Sequence, residues 1–440
     1  MLNIFFLLFY IVSSKFLSGS DLYIVLTIHF GILLVTNLTQ KKILITPLVL
    51  YYAGVIVVNI ANINLISLMG SSHQLKIYNY IIPKFIDDAA LIWCISSTLF
   101  IIGYNLFPTA GFPSIAFEIK SKKFLRNMFI LLFVLNLLKF VGFGFDRNQI
   151  GKIFSLLNSI GILFFARLWA KEEDKTYRLY TLALFFLETY ISLLTSYLRF
   201  ELILPTFYLF TGYFIGKGEL KYVFSYRAFP LIAIILLYSS VFTSLSNNRS
   251  NFIDVFTQQD DNNDNTAVVE KPLDKQEGRG ILERSANVAQ ITNVVNLVER
   301  NGFYNGRASA PILTALIPRI LWPDKPTIRI GTWFALEIGV AYKNDLGYIN
   351  NSVNMTVAGE LYLDFGWIGV ILGSLLFGVF IALLWNSTKF YASEYNLSGT
   401  IFGGYLIMLS IGSYADLQIA VTLVSTYIIF LIIKRAVKII

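Results

Sequence analysis

Long apolar stretches alternate with short polar segments along almost the whole chain. Each stretch covers roughly 17–25 residues, the length that an α-helix needs to cross the hydrocarbon core of a membrane. The pattern predicts an all-α polytopic membrane protein with about twelve transmembrane helices. The predicted spans begin near Leu2, Asp21, Ile43, Asp88, Leu125, Ile150, Arg178, Phe200, Ala228, Leu361, Ser398 and Leu417.

One polar stretch, from Asn247 to Glu360, is much longer than every other connection between apolar stretches. It divides the chain into spans 1–9 over residues 1–246, a large loop with short helices over residues 247–360, and spans 10–12 over residues 361–440. We find no convincing internal repeat. Nine spans followed by three argue against a transporter built from two equal halves.

Composition and charge agree with a membrane protein, since 56% of the residues are hydrophobic and only 14% are charged. The net charge of +8 comes from basic residues in short loops. Even numbers of predicted spans separate these loops, so they lie on one side of the membrane. The positive-inside rule then predicts cytoplasmic termini and an outward-facing insert, and argues against nucleic-acid binding. The clusters are Lys41–Lys42, Lys120–Arg126, Lys171–Arg178, Lys217–Arg227 and Lys434–Lys438.

The first stretch, Met1 to Ser20, has a second interpretation as a secretory signal, but it lacks a basic start and a small-residue cleavage motif, so we favour a retained span. Cys94 is the only cysteine, which excludes an intrachain disulfide. His29 and His73 both lie outside the insert, which excludes a His-dependent zinc site or a Ser–His pair within it. Phosphate-loop, dinucleotide and zinc-protease motifs are absent. The sequence therefore predicts no metal and no cofactor.

The insert has two parts. Residues Gln258 to Gly280 are polar and charged, and are predicted to be mobile. Apolar residues then recur at helical spacing as far as Asn301–Gly302, which predicts an amphipathic helix. Its apolar stripe, which also contains Arg284, consists of Ile281, Val288, Ile291, Val295 and Val298.

Cationic side chains in or beside the insert are the first candidates for function. A guanidinium holds phosphate through paired charge-assisted hydrogen bonds and stays charged when partly desolvated. The alternative for each is snorkelling to the interface or an ion pair with a nearby carboxylate. Arg284 differs from the others because its place on the apolar stripe directs it inward. The candidates are Arg199, Arg249, Arg284, Arg307, Arg319, Lys325 and Arg329.

Carboxylates are the second candidates. Glu360 and Asp364 are four residues apart, so both project from one face of the helix that leads into the tenth span. A carboxylate partly withdrawn from water can act as a general base toward a sugar hydroxyl. Structural pairing is the alternative, and it is favoured for Asp364. Asp87 and Asp88, at the outer entry of the fourth span, are candidates for binding a cation or a sugar, but we favour their interpretation as interface residues. The glycines of the tenth span indicate close helix packing; they are Gly366, Gly369, Gly373 and Gly378.

Several short motifs accompany these candidates: Ser196–Arg199, Leu282–Ser285, Leu313–Arg319, Trp322–Pro326, Ala358–Tyr362 and Phe365–Gly369. On these residues the chain resembles the bacterial oligosaccharide repeat-unit polymerases, the Wzy-type O-antigen and capsule polymerase family. The layout matches over most of the chain. The sharper motifs cover Leu282 to Gly369 and the segment that ends at Arg199.

The resemblance implies a membrane glycosyltransferase of the GT-C type that acts on polyprenyl-pyrophosphate-linked oligosaccharides at the outer face of the bacterial cytoplasmic membrane. In that family the growing chain moves from its carrier to the sugar end of a newly flipped repeat unit. The implied partners are membrane lipids, a chain-length regulator and a flippase. Arg284 becomes the candidate catalytic cation, and Glu360 is our own candidate for the base. The candidates for holding pyrophosphate are Arg199, Arg249, Arg319 and Lys325.

Other functions remain open at the level of the sequence. A flippase for lipid-linked oligosaccharides needs polar or ionisable groups deep within several spans, and the middle of most spans reads as apolar. An O-antigen ligase resembles this layout, but it relies on a histidine in the large outer loop, and this chain has none there. A purely structural scaffold leaves Arg284 on the apolar stripe unexplained.

Overall fold

The computed structural model describes residues 2–39, 45–68, 81–140, 149–195, 199–217, 286–309, 322, 330–341, 352–411 and 417–437. This part of the chain is all-helical. Within the described ranges there are no β-strands, and the only β-type contact is one isolated bridge between Glu118 and Asn396.

The α-helices of the described ranges are numbered in chain order. They are α1 (Leu2–Ser13), α2 (Gly19–Leu38), α3 (Pro47–Leu68), α4 (Ile86–Leu106), α5 (Lys122–Phe140), α6 (Gln149–Glu172), α7 (Lys175–Thr195), α8 (Arg199–Lys217), α9 (Val288–Asn301), α10 (Ile330–Glu337), α11 (Thr356–Ile368), α12 (Ser374–Thr388), α13 (Leu397–Ile411) and α14 (Gln418–Val437). A 3₁₀ turn, Pro83–Phe85, precedes α4, and a π-helical turn, Gly369–Gly373, joins α11 to α12.

Helices occupy the places expected for the predicted spans, apart from the ninth, which begins near Ala228 and lies outside the described residues. Four segments of the described chain are long and apolar enough to cross a membrane: Gly19–Leu38, Pro47–Ser67, Pro83–Leu106 and Thr356–Thr388. The chain is therefore compatible with a helical membrane protein.

The first helix is shorter than the predicted span. α1 has 12 residues, which at 1.5 Å per residue cover roughly 18 Å, less than the roughly 30 Å of the hydrocarbon core. The chain turns after Ser13, and Ser18 then starts α2 with a capping box, in which its hydroxyl accepts from the Asp21 N–H and the Asp21 carboxylate accepts from the Ser18 N–H. Local capping chemistry thus ends the apolar run earlier than hydropathy suggests.

His29 fastens α1 to α2. The ring is buried; Nδ1 is 3.0 Å from the Tyr10 hydroxyl and Nε2 is 3.0 Å from Asn3 Oδ1. The Phe6 ring stacks on it with 4.0 Å between centroids. Both ring nitrogens therefore have partners within this helix pair, which gives His29 a structural role.

Buried side chains form two main groups. The larger lies among α1–α4, α9 and α11–α14, and the second joins α5–α8 to the start of α13. Close helix contact within the larger group depends on glycine. A Cβ on Gly378 would lie 2.1 Å from the Phe100 carbonyl oxygen, so only glycine lets α12 approach α4 this closely. The packing role predicted for Gly378 is confirmed.

The segments that carry the basic clusters meet at one end of the bundle, called here the basic end. The Tyr391 hydroxyl donates to the Ile45 carbonyl oxygen at 2.7 Å, and Lys171 pairs with Glu394 at 3.3 Å. Three further contacts complete this end: the Ile119 N–H with the Tyr395 carbonyl oxygen, Lys217 with Glu173, and Lys434 with the Ser114 carbonyl oxygen. The described parts of these segments thus lie at one end of the bundle, whereas Lys41, Lys42, Lys221 and Arg227 lie outside the described residues, and the side of the membrane stays a prediction.

The opposite end of the bundle is called here the insert end. α2 and α4 both start there, and the Asp87 carboxylate accepts from the Gly19 N–H at 2.6 Å, which caps α2. Asp87 therefore has a structural contact, and its place at a membrane interface stays a prediction. The described part of the long insert also lies at this end.

Candidate functional site

The amphipathic helix predicted in the insert is α9. Val288, Ile291 and Val295 are buried, and the helix ends at Gly302, whose φ of 75° is favourable for glycine. The predicted stripe and end are confirmed for this stretch. The described helix begins at Val288, and the predicted first turns, with Ile281 and Arg284, lie outside the described residues.

Asn62 of α3 holds the start of α9 inside the bundle. Its Oδ1 accepts from the Asn287 N–H at 2.9 Å and from the Val288 N–H at 3.0 Å, and its Nδ2 donates to Asn287 Oδ1 at 2.8 Å. Free N–H groups at a helix start need acceptors, and here another helix supplies one. Ala286, just before α9, is also buried. The described start of α9 is therefore built into the wall of the bundle.

Two further contacts fix α9 beside the start of α4. The Ile82 N–H donates to Thr292 Oγ1 at 3.3 Å, and Lys84 pairs with Glu299 at 2.6 Å. The ion pair is solvent-exposed, so it contributes at most about 1 kcal/mol. It nevertheless places a cation and a carboxylate at the rim of the insert end.

Glu360 lies on α11 and is almost fully buried, with 2% of its surface exposed. Its Oε2 accepts from the Leu417 N–H at 3.0 Å, immediately before α14. A carboxylate at a helix start is stabilised by the free N–H groups and the helix dipole. Glu360 therefore has a structural partner, and its role as a base stays a prediction.

Asp364, one turn further along α11, is completely buried. Its carboxylate accepts from the Ala308 N–H at 3.0 Å and from the Ser309 N–H at 2.7 Å, and also from the Ser309 hydroxyl. The structural pairing favoured for Asp364 is confirmed. Its partners are two backbone N–H groups and a serine hydroxyl.

A kink at Gly366 explains why the turn after α9 is bound so tightly. Gly366 has φ 59° and ψ −144° within α11, which interrupts the helical hydrogen bonds. The carbonyl oxygens freed there find donors in the turn, since the Tyr304 N–H reaches Leu363 O and the Asn305 N–H reaches Asp364 O, both at 3.0 Å. The kink and the turn therefore stabilise each other.

The kink also divides the predicted tenth span. A Cβ on Gly373 would lie 2.4 Å from a methyl group of Leu361, whereas twelve residues of straight helix extend roughly 18 Å. The start of α11 is thus folded back against the following segment. Trp367–Thr388 alone, roughly 22 residues or 33 Å, is long enough to span. Both carboxylates lie on the folded-back part, and the start of the tenth span at Leu361 stays a prediction.

α11 begins with an unusual backbone conformation. Thr356 has φ 69°, which is costly for a β-branched residue, by about 1–3 kcal/mol. Its Oγ1 accepts from the Gly359 N–H at 3.1 Å and so caps the helix that carries Glu360. Such strain persists where the surrounding structure imposes it, and it is frequent near functional sites.

Most of the predicted cationic site lies outside the described residues: Arg249, Arg284, Arg319 and Lys325. Arg199 is the first residue of α8. Because Lys217, the last residue of α8, pairs with Glu173 at the basic end, the backbone of Arg199 lies roughly 27 Å away, at the insert end. Arg307 is exposed in the turn that binds Asp364.

The expectation of apolar mid-span segments is wrong for α5–α7. Glu188 of α7 is buried there, with Asn158 Nδ2 of α6 located 3.5 Å from its Oε2 and 2.5 Å from Asn136 Oδ1 of α5. An ionisable group at this depth is costly and is usually tied to function. In the sequence, these three residues are recognisable as single polar residues within long apolar runs, and this pattern could have identified them.

The same signal marks Asn62, which the sequence analysis missed. It is one of the asparagines within the apolar stretch of α3, and a polar side chain buried in such a helix usually bonds to a neighbouring one. Its partner, 225 residues later in the chain, was not predictable from the pattern.

Comparison of the chain with protein-family models, curated proteins and solved structures gives no significant match. The chemistry of the site therefore has to be argued from its own residues.

Proposed function

We propose that this protein is a bacterial membrane glycosyltransferase that polymerises polyprenyl-pyrophosphate-linked oligosaccharide repeat units into O-antigen, capsular or exopolysaccharide chains. In this proposal twelve helices cross the cytoplasmic membrane. The basic end and both termini face the cytoplasm, and the insert end faces outward, where the flipped lipid-linked substrate is available.

The observation that supports this proposal most is the attachment of α9 at the insert end. Arg284 precedes the buried Ala286 by two residues. α9 in turn packs on α11, where a Cβ on Gly359 would lie 3.4 Å from the Val294 side chain, and Gly359 is adjacent to Glu360. Ala286 and Glu360 therefore belong to segments that are packed at the same end of the bundle, and this supports the proposal that the adjacent Arg284 acts there.

The proposed reaction needs few protein groups. A hydroxyl oxygen of the acceptor repeat unit attacks the anomeric carbon of the donor chain, and the bond from that carbon to the pyrophosphate oxygen breaks. The polyprenyl pyrophosphate leaves with the bonding electrons, and the hydroxyl proton passes to a base. Arginines stabilise the charge that develops on the leaving group, while the bundle orients both substrates. The donor is already activated, so no nucleotide site is required.

Glu360→Gln tests the assignment of the base. Glutamine keeps the shape and can still accept the Leu417 N–H through its carbonyl oxygen, but it cannot take up a proton. If Glu360 is the base, we expect polymer synthesis to fall by about 10²–10⁴-fold at an unchanged melting temperature. Near-normal synthesis in the variant assigns Glu360 to the structural contact alone.

Purified protein in liposomes with lipid-linked repeat units tests the function itself. The polymerase predicts ladders of products that differ by one repeat unit, with release of polyprenyl pyrophosphate. Absence of new glycosidic bonds under conditions in which the substrate is accessible contradicts the proposal.

The second candidate is a carrier for lipid-linked oligosaccharides. The buried Glu188 with Asn158 and Asn136 favours it, because carriers place polar groups along a path within the bilayer. In the same liposomes a carrier moves the lipid-linked unit between leaflets and makes no new bond, so one assay distinguishes the two functions.

A further inference from the structure

Arg167 is a buried cation near the basic end, far from the site proposed above. It lies five residues before the end of α6, or roughly 7.5 Å along the helix axis, and only 2% of its surface is exposed. α8 closes over its backbone, since a Cβ on Gly216 would lie 2.5 Å from the Arg167 carbonyl oxygen. The guanidinium therefore points into the junction between the two helix groups.

The guanidinium has little polar compensation. Nη1 donates to Thr400 Oγ1 of α13 at 3.0 Å. The central carbon lies 4.8 Å from the centre of the Phe390 ring and 5.9 Å from that of Tyr391. In the described part of the chain it forms no ion pair, because Glu394, the carboxylate nearby, pairs with Lys171 instead.

An arginine has five N–H donors in a planar arrangement. Among the described residues, one neutral hydroxyl and two aromatic faces satisfy only part of that capacity, and an uncompensated buried charge is strongly unfavourable. The environment is therefore complementary to an anion that accepts several hydrogen bonds at once. Phosphate fits this requirement because its oxygens match the spacing of the guanidinium donors.

Lys171 extends the positive charge toward the surface. It is four residues after Arg167, so both lie on one face of α6, and its side chain is 55% exposed. Glu394 competes for Lys171, so Lys171 contributes less than Arg167. The two cations therefore lie one helical turn apart, one at the surface and one in the junction.

We propose that this junction binds the phosphate of an anionic lipid headgroup. In the proposed topology α6 crosses the membrane, and Arg167, roughly 7.5 Å from its end, lies at the level of the headgroups. Basic pockets between helices on the cytoplasmic side recognise such lipids. The phosphate would sit against Arg167, with Lys171 at the opening and the Phe390 and Tyr391 rings as the apolar wall. This inference does not depend on the catalytic activity.

The test measures lipid binding to the full-length protein in detergent by native mass spectrometry. Phosphatidylglycerol and phosphatidylcholine are compared for the unaltered protein, Arg167→Gln and Lys389→Gln. We expect a preference for phosphatidylglycerol of about tenfold or more, reduced about tenfold by Arg167→Gln, as the loss of charge-assisted hydrogen bonds implies. Lys389 is exposed in the neighbouring turn, so its variant removes one positive charge without touching the junction, and should change the preference less than about twofold.

An undiminished preference in Arg167→Gln overturns the proposal, since general attraction to the basic loops then explains the binding. Inorganic phosphate at about 10 mM serves as a second probe; if it displaces phosphatidylglycerol, the occupant is a soluble anion and the lipid assignment is wrong. Should Arg167→Gln fail to fold, hydrogen exchange of the unaltered protein in nanodiscs decides. Phosphatidylglycerol should slow exchange in residues 388–400 relative to phosphatidylcholine, and equal exchange in both lipids refutes the site.

Discussion

Arg284→Ala is expected to reduce polymer synthesis by about 100-fold or more, without lowering the amount of protein in the membrane. The reason is electrostatic: the pyrophosphate gains negative charge as the bond to the sugar breaks, and a preorganised cation there contributes about 3–4 kcal/mol. Arg284→Lys keeps the charge but loses the planar pair of donors, so it should retain intermediate activity. The measurement is the ladder of products in liposomes.

Arg300→Ala is the matched control. Arg300 belongs to the same insert and lies at the far end of α9, where its side chain is exposed. Its removal subtracts the same charge from the insert without affecting the buried start of the helix. Polymer of normal length and amount from Arg284→Ala, or an equal loss from Arg300→Ala, contradicts a specific role for Arg284.

Hydropathy and capping signals predicted most of the helix positions. In a chain this rich in apolar residues, an apolar run and a capping residue are enough to locate a helix. The end of α9 at Gly302 and the close approach at Gly378 followed from the same local rules. The lengths of the helices were less predictable. α1 ends at Ser13, although the apolar run continues, because the Ser18–Asp21 capping box starts a new helix shortly afterwards.

The candidate site was only partly predictable. Glu360 and Asp364 were identified as a pair, but the kink at Gly366 separates them from the helical segment that follows. Nothing in the local sequence distinguishes Gly366 from the other glycines of that run. Its conformation depends on donors from Tyr304 and Asn305, about 60 residues earlier in the chain. Contacts over such separations leave no periodic pattern.

The two ends of the bundle relate these observations to one another. Loops at the basic end bond to each other through backbone and tyrosine contacts, whereas the insert end is closed by α9, its following turn and the folded-back start of α11. Asn62, Asp364 and Glu360 each hold one of these segments in place. Buried polar side chains therefore shape the insert end, and a defined shape is what orienting two saccharides requires.

Asp364→Ala is expected to destabilise the protein by roughly 3–5 kcal/mol, because it leaves the buried Ala308 N–H and the partly buried Ser309 N–H without an acceptor. The kinked end of α11 then loses the turn that binds its carbonyl oxygens. Asp364→Asn keeps one acceptor oxygen and should have about half the effect. The measurement is thermal unfolding in detergent, with activity recorded below the melting temperature.

Asp174→Ala provides the comparison. The Asp174 carboxylate also accepts a backbone N–H, from Thr176 at 2.8 Å, and this bond lowers the pKa of Asp174. Asp174 lies at the surface, where water replaces the lost acceptor, so its variant should melt close to the unaltered protein. An equal shift of the melting temperature in both variants would contradict the prediction. It would mean that burial does not strengthen the Asp364 contact, and that the 308–309 turn does not hold the kinked helix in place.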